Sequence, residues 1–150
     1  MTHEEYQTIL RSDLTTFVQR SFYELNPQGI YLGSPYIELI CSKLEACRRG
    51  EITRLIINLP PRTLKSFLSS VVFPAWVLAH DPTQQILCAS YGQDLSDKHA
   101  RDCRNLMASP FYCSLFPNTR LAGKQSVGEF MTSRSGGRLL HLGRWHRHRA

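Results

Sequence analysis

The sequence predicts an α/β fold in which central parallel strands are flanked by helices. Two short apolar runs, at residues 54–59 and 85–91, are typical of strands that are buried on both faces of a sheet. Between them, residues 65–78 have a helical pattern, so residues 54–91 have the length of a right-handed strand, helix, strand crossover. The chain of 150 residues is long enough for one ordinary domain.

The region before the first predicted strand is expected to be helical. Thr2 and Glu5 form a capping-box pattern at the start of apolar residues with helical spacing, which predicts one helix over residues 3–25. A second helix is predicted to follow Ser34 as its N-cap and to end at Gly50. These helices form the N-terminal region and the start of the main domain.

The second half of the chain is predicted to contain one more helix and a hairpin. Asp94 is expected to cap a helix that ends at about Ala108, and the residues expected on its inward face are Leu95, His99, Cys103, Leu106 and Met107. Two further runs, residues 129–134 and 138–142, are separated by a glycine pair and predict a β-hairpin. Trp76 is expected in the core.

The composition excludes several classes of protein. Hydrophobic residues make up 42% and charged residues 20% of the chain, which is typical of a globular protein and not of a disordered one. The longest apolar stretch is about 13 residues, whereas a helix that spans a bilayer needs about 20. The N-terminus lacks the basic and apolar segments of a signal peptide, so a cytoplasmic location is expected.

The cysteines and the charge distribution point to no metal centre and no extended basic surface. The five cysteines are an odd number and include no Cys-x-x-Cys pair, so we expect reduced thiols. The formal net charge is +6, and four arginines between Arg138 and Ala150 contribute most of it. We therefore assign residues 138–150 to a basic tail and expect that residues from about Leu140 do not pack.

The junction after the first predicted strand carries the candidate site. It reads LPPRTLKS over residues 59–66, which puts Lys65 and Ser66 where the signature GxxxxGK[ST] has its lysine and hydroxyl residue. Such a loop binds phosphate with backbone amides and the positive end of a helix dipole. Leu59 and Leu64 stand where the signature has glycines, so the alternative is a strand-to-helix junction with an exposed lysine.

The wider sequence resembles the large terminase subunit of tailed bacteriophages, near the start of its ATPase domain. The resemblance covers about residues 30–137 and is carried by IINLPPRTLKSFLSSVVFPAWVLAHDP, then ILCASYGQDLSDKHARDCRNLMASPFYCSLFPNTRL, then KQSVGEFMTSRSGGR. It implies a partial P-loop NTPase fold of ASCE type, a three-layer sheet structure preceded by N-terminal helices. On this basis residues 1–33 are the helical region and residues 34–137 are a truncated P-loop ATPase domain.

The resemblance also implies ATP and Mg²⁺ as cofactors. The nucleotide-binding residues carried over from it are Pro61, Arg62, Thr63, Leu64, Lys65 and Ser66. Lys65 would contact the β- and γ-phosphates, Ser66 would bind the metal through its hydroxyl, and Arg62 would lie near the γ-phosphate as a candidate catalytic residue. Tyr36 would approach the adenine, and its alternative role is that of a core tyrosine.

The family couples ATP hydrolysis to the translocation of viral DNA into the capsid, and its members also carry a nuclease domain. The implied partners of an intact member are double-stranded DNA, the small terminase subunit and the portal, in the cytoplasm of a bacterial host and without a membrane. Hydrolysis needs a second strand that ends in acidic residues, but the only acid after Asp102 is Glu129. We therefore expect an N-terminal fragment that is inactive alone.

The likeness to the family stops at about Leu139. Back-translation of residues 143–150, shifted by one base, allows Gly-Gly-Gly-Thr-Gly-Thr-Gly, which is similar to a glycine-rich segment of the family, so we hypothesise a frameshifted remnant of a terminase gene. One alternative is a half-domain that binds a nucleotide or a partner without turnover. Another is a small basic nucleic-acid-binding protein, against which the confinement of charge to residues 138–150 argues.

Overall fold

The computed structural model of the protein describes residues 2–123, 126–133 and 137–143. These ranges form a mixed α/β structure, as predicted, with helices and a small mixed sheet. The elements in chain order are α1 His3–Ser12, α2 Leu14–Leu25, α3 Pro35–Arg48, α4 from Lys65 to His80, β1 Gln85–Ala89, α5 Gln93–Ala108, α6 Pro110–Leu115, β2 Glu129–Met131 and β3 Arg138–Leu142. No helix in these ranges is long and apolar enough to cross a membrane.

The predicted helix over residues 3–25 is two helices, because the chain is extended at Asp13. The carboxylate of Asp13 accepts a hydrogen bond of 2.7 Å from the amide of Thr16 and caps α2. The predicted capping box at the start of α1 is confirmed, since Thr2 and Glu5 each bond the other's backbone amide. The helical spacing of apolar residues continues across the break at Asp13, because the apolar faces of α1 and α2 pack against the same core.

The helix α4 is continuous but not uniform. It consists of Lys65–Phe67, a π-helical stretch Leu68–Val72, and Phe73–His80. Pro74 has no amide hydrogen, and its ring would clash with the carbonyl of Ser70 in a regular α-helix, so the wider turn directly before it accommodates the ring. The predicted helix is thus confirmed, with its end two residues later than expected.

The sheet has the order β1, β3, β2. The strand β3 pairs in parallel with β1, Leu87 opposite Leu140. It pairs antiparallel with β2, which confirms the predicted pairing of the hairpin strands, while residues 134–136 between them lie outside the described residues. The predicted strand at residues 54–59 is wrong: this segment has no regular secondary structure and belongs to no sheet of the described residues. Its alternate apolar residues still pack against the core, but no β-bridge of the described residues joins it to β1.

The expectation that the chain does not pack beyond Leu140 is also wrong for β3, which is the central strand. Leu139 and His141 are buried on the face that packs against α5, so the packed structure extends at least to Leu142. The rest of the predicted basic tail, residues 144–150, lies outside the described residues. The opposite face of the sheet, which carries Leu87 and Leu142, is exposed, so no helical layer covers it within the described ranges.

The core lies among the helices. Phe17 of α2 is surrounded by the rings of Trp76, Phe111, Tyr112 and Phe116, at centroid distances of 4.9 to 6.3 Å. Trp76 is fully buried, as predicted. His80 links α4 to the end of α1, with its Nε2 atom 3.0 Å from the carbonyl oxygen of Arg11. The five cysteines form no disulfide bond in the structure; Cys41 and Cys103 are buried, and the other three are partly buried.

Candidate phosphate-binding site

The candidate loop connects the irregular segment of residues 54–59 to the start of α4. Leu55, Ile57 and Leu59 pack against the core, while the residues between them are exposed. The chain then turns at residues 61–62 and enters the helix at Lys65, so the predicted position of Lys65 at a helix start is confirmed. Residues 54–59 and the helix α4 thus fix the two ends of the loop.

Two residues of the loop have left-handed backbone conformations. Arg62 has φ 64° and Leu64 has φ 60°. A residue with a Cβ atom is disfavoured there by about 1–2 kcal/mol, which is why loops of this shape normally use glycine. Leu64 is therefore a leucine in a conformation typical of glycine, at the position where the phosphate-loop signature has glycine.

The side chains of the loop hold this shape. The ammonium group of Lys65 donates a hydrogen bond of 2.6 Å to the carbonyl oxygen of Leu59, which keeps the charge over the loop. The hydroxyl of Thr63 donates one of 2.8 Å to the carbonyl oxygen of Pro60. The amides of Lys65 and Ser66 lie in the first turn of α4, where no earlier helical carbonyl can accept from them. The loop thus presents a cation beside the amides of a helix start.

The loop opens into a cavity of about 430 Å³ at the carboxyl end of β1. This is the end of a parallel strand at which open α/β sheets bind ligands. Its polar lining includes Lys65, Ser66, Ser90, Tyr91 and His99. Lys65 and the loop fit a phosphate group. The fit to Mg²⁺ is poor, because within the described part of the chain the lining offers hydroxyls, that of Ser66 among them, but no carboxylate.

The other predicted site residues lie at different distances from this cavity. Pro61 and Arg62 are exposed at the tip of the loop, and Thr63 and Leu64 are half-buried. Tyr36 lies in the first turn of α3 and does not line the cavity, as far as the described residues define it. Tyr36 lies instead near Tyr31, the pKa of which is raised to about 12 by burial and by neighbouring groups.

One buried histidine lines the cavity, and a second, which sequence reasoning missed, lies near the first. His99 of α5 was expected to face inward, and it is 6% exposed; His141 of β3 is 2% exposed. The Nδ1 atom of His99 and both ring nitrogens of His141 have no hydrogen-bond partner among the described residues. Burial, together with neighbouring His99, lowers the pKa of His141 to about 4. Burial and neighbouring Lys98 also lower the pKa of His99, against the opposing effect of Asp102.

The lowered pKa values of these histidines predict that the folded protein is less stable in acid. The pKa of His141 is lower in the folded state than the ordinary value of 6.5, so the unfolded state binds the proton more tightly between pH 6.5 and 4. The free energy of unfolding should therefore fall as the pH falls through this range, by about 3 kcal/mol for His141 alone. Urea unfolding, monitored by circular dichroism at several pH values, measures this fall in the free energy of unfolding.

The variant His141→Leu separates this effect from the titration of carboxylates. Leucine is uncharged at every pH and removes the two ring nitrogens that lack partners. The variant should gain stability relative to the unmodified chain as the pH falls from 7 to 4. Parallel pH dependences in the two proteins would contradict the assignment.

Similarity to known proteins was sought at three levels. Comparison of the chain with protein-family models, with curated proteins and with solved structures gave no match.

Proposed function

We propose that the loop of residues 60–66 binds the phosphate groups of ATP, and that the chain is the N-terminal part of an ATPase domain similar to that of the large terminase subunit. The observation that carries the proposal is the left-handed backbone of Leu64 directly before Lys65 and Ser66 at a helix start. Leucine gains nothing locally from this conformation. We infer that the left-handed conformation of Leu64 is there because the shape of the phosphate loop requires it.

The chemistry of the loop suits a polyphosphate. The amides in the first turn of α4 and the positive end of its dipole favour an anion, and the ammonium group of Lys65 adds a full positive charge. The hydrogen bond of Lys65 to the carbonyl of Leu59 is within the loop, so the ammonium can add a phosphate oxygen as a further acceptor. Arg62, exposed at the tip, can approach the outermost phosphate.

We propose binding without turnover for this chain. Phosphoryl transfer depends on a metal ion held by acidic residues and on a group that orients the attacking water. In the described ranges the cavity beside Lys65 is lined by hydroxyls, a histidine and apolar groups. The translocation of double-stranded DNA, and the contacts with a small subunit and a portal, belong to the intact protein that the resemblance implies.

Isothermal titration with ATP tests the proposal through the variant Lys65→Ala. We expect the unmodified chain to bind ATP in the absence of added metal, because the loop itself contacts the phosphates. Loss of a charged hydrogen-bond donor costs about 1.5–3 kcal/mol, so the variant should bind about 10 to 100 times more weakly. Phosphate and adenosine, titrated separately, show which half of the nucleotide is recognised.

The matched control is Lys43→Ala, which removes the same charge from the exposed surface of α3. This variant should bind ATP like the unmodified chain. Circular dichroism of the Lys65→Ala chain shows whether loss of the hydrogen bond to Leu59 has affected the fold. Equal ATP affinity of the folded Lys65→Ala chain and its control would refute a phosphate site at this loop.

A further inference from the structure

The cavity beside the candidate loop has a buried polar side chain in its wall that belongs to α5. His99 lines this cavity together with Lys65 and Ser66. The side chain is 6% exposed, and its Nδ1 atom has no hydrogen-bond partner among the described residues. Buried polar groups in native proteins normally have partners. An unpartnered histidine at the wall of a cavity therefore points to a polar ligand in that cavity.

The packing of α5 fixes the position of His99. The helix begins shortly after the end of β1, and it packs against the π-helical stretch of α4 and against β3. Ser96, His99 and Cys103 are buried and lie at helical spacing on one side of α5. The hydroxyl of Ser96 also has no partner in the described part of the chain. His99 is thus held by a packed helix face, whereas Lys65 comes from the loop.

The cavity is narrow enough for one ligand to reach both residues. Its volume of about 430 Å³ is that of a sphere about 9 Å across, a width that one phosphate group and a hydrogen bond of about 2.9 Å on each side can bridge. A chain of two or three phosphate groups has more oxygens to offer. The groups of the described lining that can carry a positive charge are Lys65 and His99, so an anion that enters is attracted by both.

The charges around His99 disfavour its protonated form while the cavity holds no anion. On α5 itself, Lys98 lies beside His99, and the carboxylate of Asp102 forms an ion pair of 2.9 Å with Lys98. Burial and Lys98 lower the pKa of His99, against the opposing effect of Asp102. The other elements around it contribute titratable groups that include no carboxylate among the described residues: Lys65, Cys88, Tyr91, Cys103 and His141.

A bound phosphate group would reverse this balance. An anion within about 4–6 Å of a histidine favours its charged form and raises its pKa. A neutral imidazole has one N–H donor, whereas the protonated ring has two and makes the stronger, charge-assisted hydrogen bond to a phosphate oxygen. Entry of the anion and uptake of a proton by His99 therefore favour each other.

We propose that His99 is a second ligand of the phosphate group that Lys65 holds, and that its imidazole takes up one proton from solvent when this group binds. The inference rests on the proposed phosphate site and adds a regulation to it. Proton uptake on binding means that the affinity for the nucleotide rises as the pH falls. No covalent bond is formed or broken.

Isothermal titration with ATP at pH 8 and at pH 6 tests the proposal through the variant His99→Gln. Glutamine keeps a hydrogen-bond donor but does not titrate. We expect the ratio of the affinity of the unmodified chain to that of the variant to rise about tenfold between pH 8 and pH 6, the effect of a pKa raised by one unit. The titration of ATP itself is common to both proteins and cancels in this ratio.

The number of protons taken up gives an independent readout. Titrations at pH 6.5 in two buffers with different ionisation enthalpies measure it. The unmodified chain should take up more protons per ATP than the His99→Gln chain. The matched control is His3→Gln on the exposed surface of α1, which should behave like the unmodified chain.

The outcomes separate this inference from the phosphate site itself. Circular dichroism verifies the fold of the variant. If the variant unfolds, the NMR signal of the His99 ring in the unmodified chain, titrated with and without ATP, still gives an answer: its midpoint should rise by about one pH unit when ATP is bound. An unchanged midpoint, or equal pH profiles of the two folded proteins, would overturn the role of His99 and leave a Lys65-dependent site in place. Absence of ATP binding by the unmodified chain at both pH values would overturn the site and this inference with it.

Discussion

The 150-residue chain, purified on its own, is expected to release phosphate from ATP no faster than the uncatalysed background. Lys65 and Ser66 can contact the nucleotide, but the cavity beside them has no carboxylate in its described lining. Magnesium would lack a carboxylate ligand from this lining, and the attacking water would lack a carboxylate to orient it. Because positioning and electrostatics carry nearly all of phosphoryl transfer, their loss should reduce the rate by several powers of ten.

A continuous phosphate-release assay with excess ATP and Mg²⁺ measures this rate. The Lys65→Ala chain, prepared identically, reports contamination by host ATPases, since a contaminant does not depend on this lysine. Equal release by the two preparations is the expected result. Steady turnover that disappears in the variant would show that the site is complete, and the proposal of binding without turnover would then fail.

The helices could be predicted because their signals are local. The apolar spacing and the Ser34-Pro35 start predicted α3 correctly, and the pattern after residue 64 predicted α4. The break at Asp13 was missed because an aspartate within a helical pattern is as compatible with an exposed helix position as with an N-cap. Only the extended backbone at this residue distinguishes the two.

The sheet was predicted less well because strand pairing depends on residues far apart in the chain. Residues 54–59 have a stronger strand composition than β1, yet β1 is the segment that pairs. Composition makes an extended conformation favourable, and only a neighbouring strand makes it part of a sheet. Leu95 shows the same limit within a helix: it was expected inside, but it is exposed at the open cavity beside β1.

The candidate site was predictable in position but not in its surroundings. The loop and the helix start at Lys65 follow from adjacent residues, so the sequence pattern was sufficient. The left-handed conformation of Leu64 had only an indirect signal, the leucine at a glycine position of the signature. His141 comes near His99 of the cavity lining through the place of β3 in the sheet, and no local pattern predicts the pairing of β3 with β1.

Replacement of Phe17 by alanine is expected to remove about 3–5 kcal/mol from the free energy of unfolding. Phe17 is fully buried, and its ring lies 4.9 Å from that of Trp76 and 5.8 Å from that of Phe116. These rings come from α2, α4 and the chain after α6, so a cavity at this point loosens three parts of the fold at once. Aromatic pairs also contribute beyond the area that they bury.

The matched comparison is Tyr23→Ala on the same helix. Tyr23 is partly exposed, and its ring contacts are with Phe22 and Tyr31 at the edge of the core. The cost there should be about 1 kcal/mol. Urea unfolding at pH 7, where buried His141 is neutral in both states, measures the two variants without interference from its titration. Similar losses in both would show that α2 is not anchored through Phe17, because a loosely packed aromatic cluster would collapse around the missing ring at little cost.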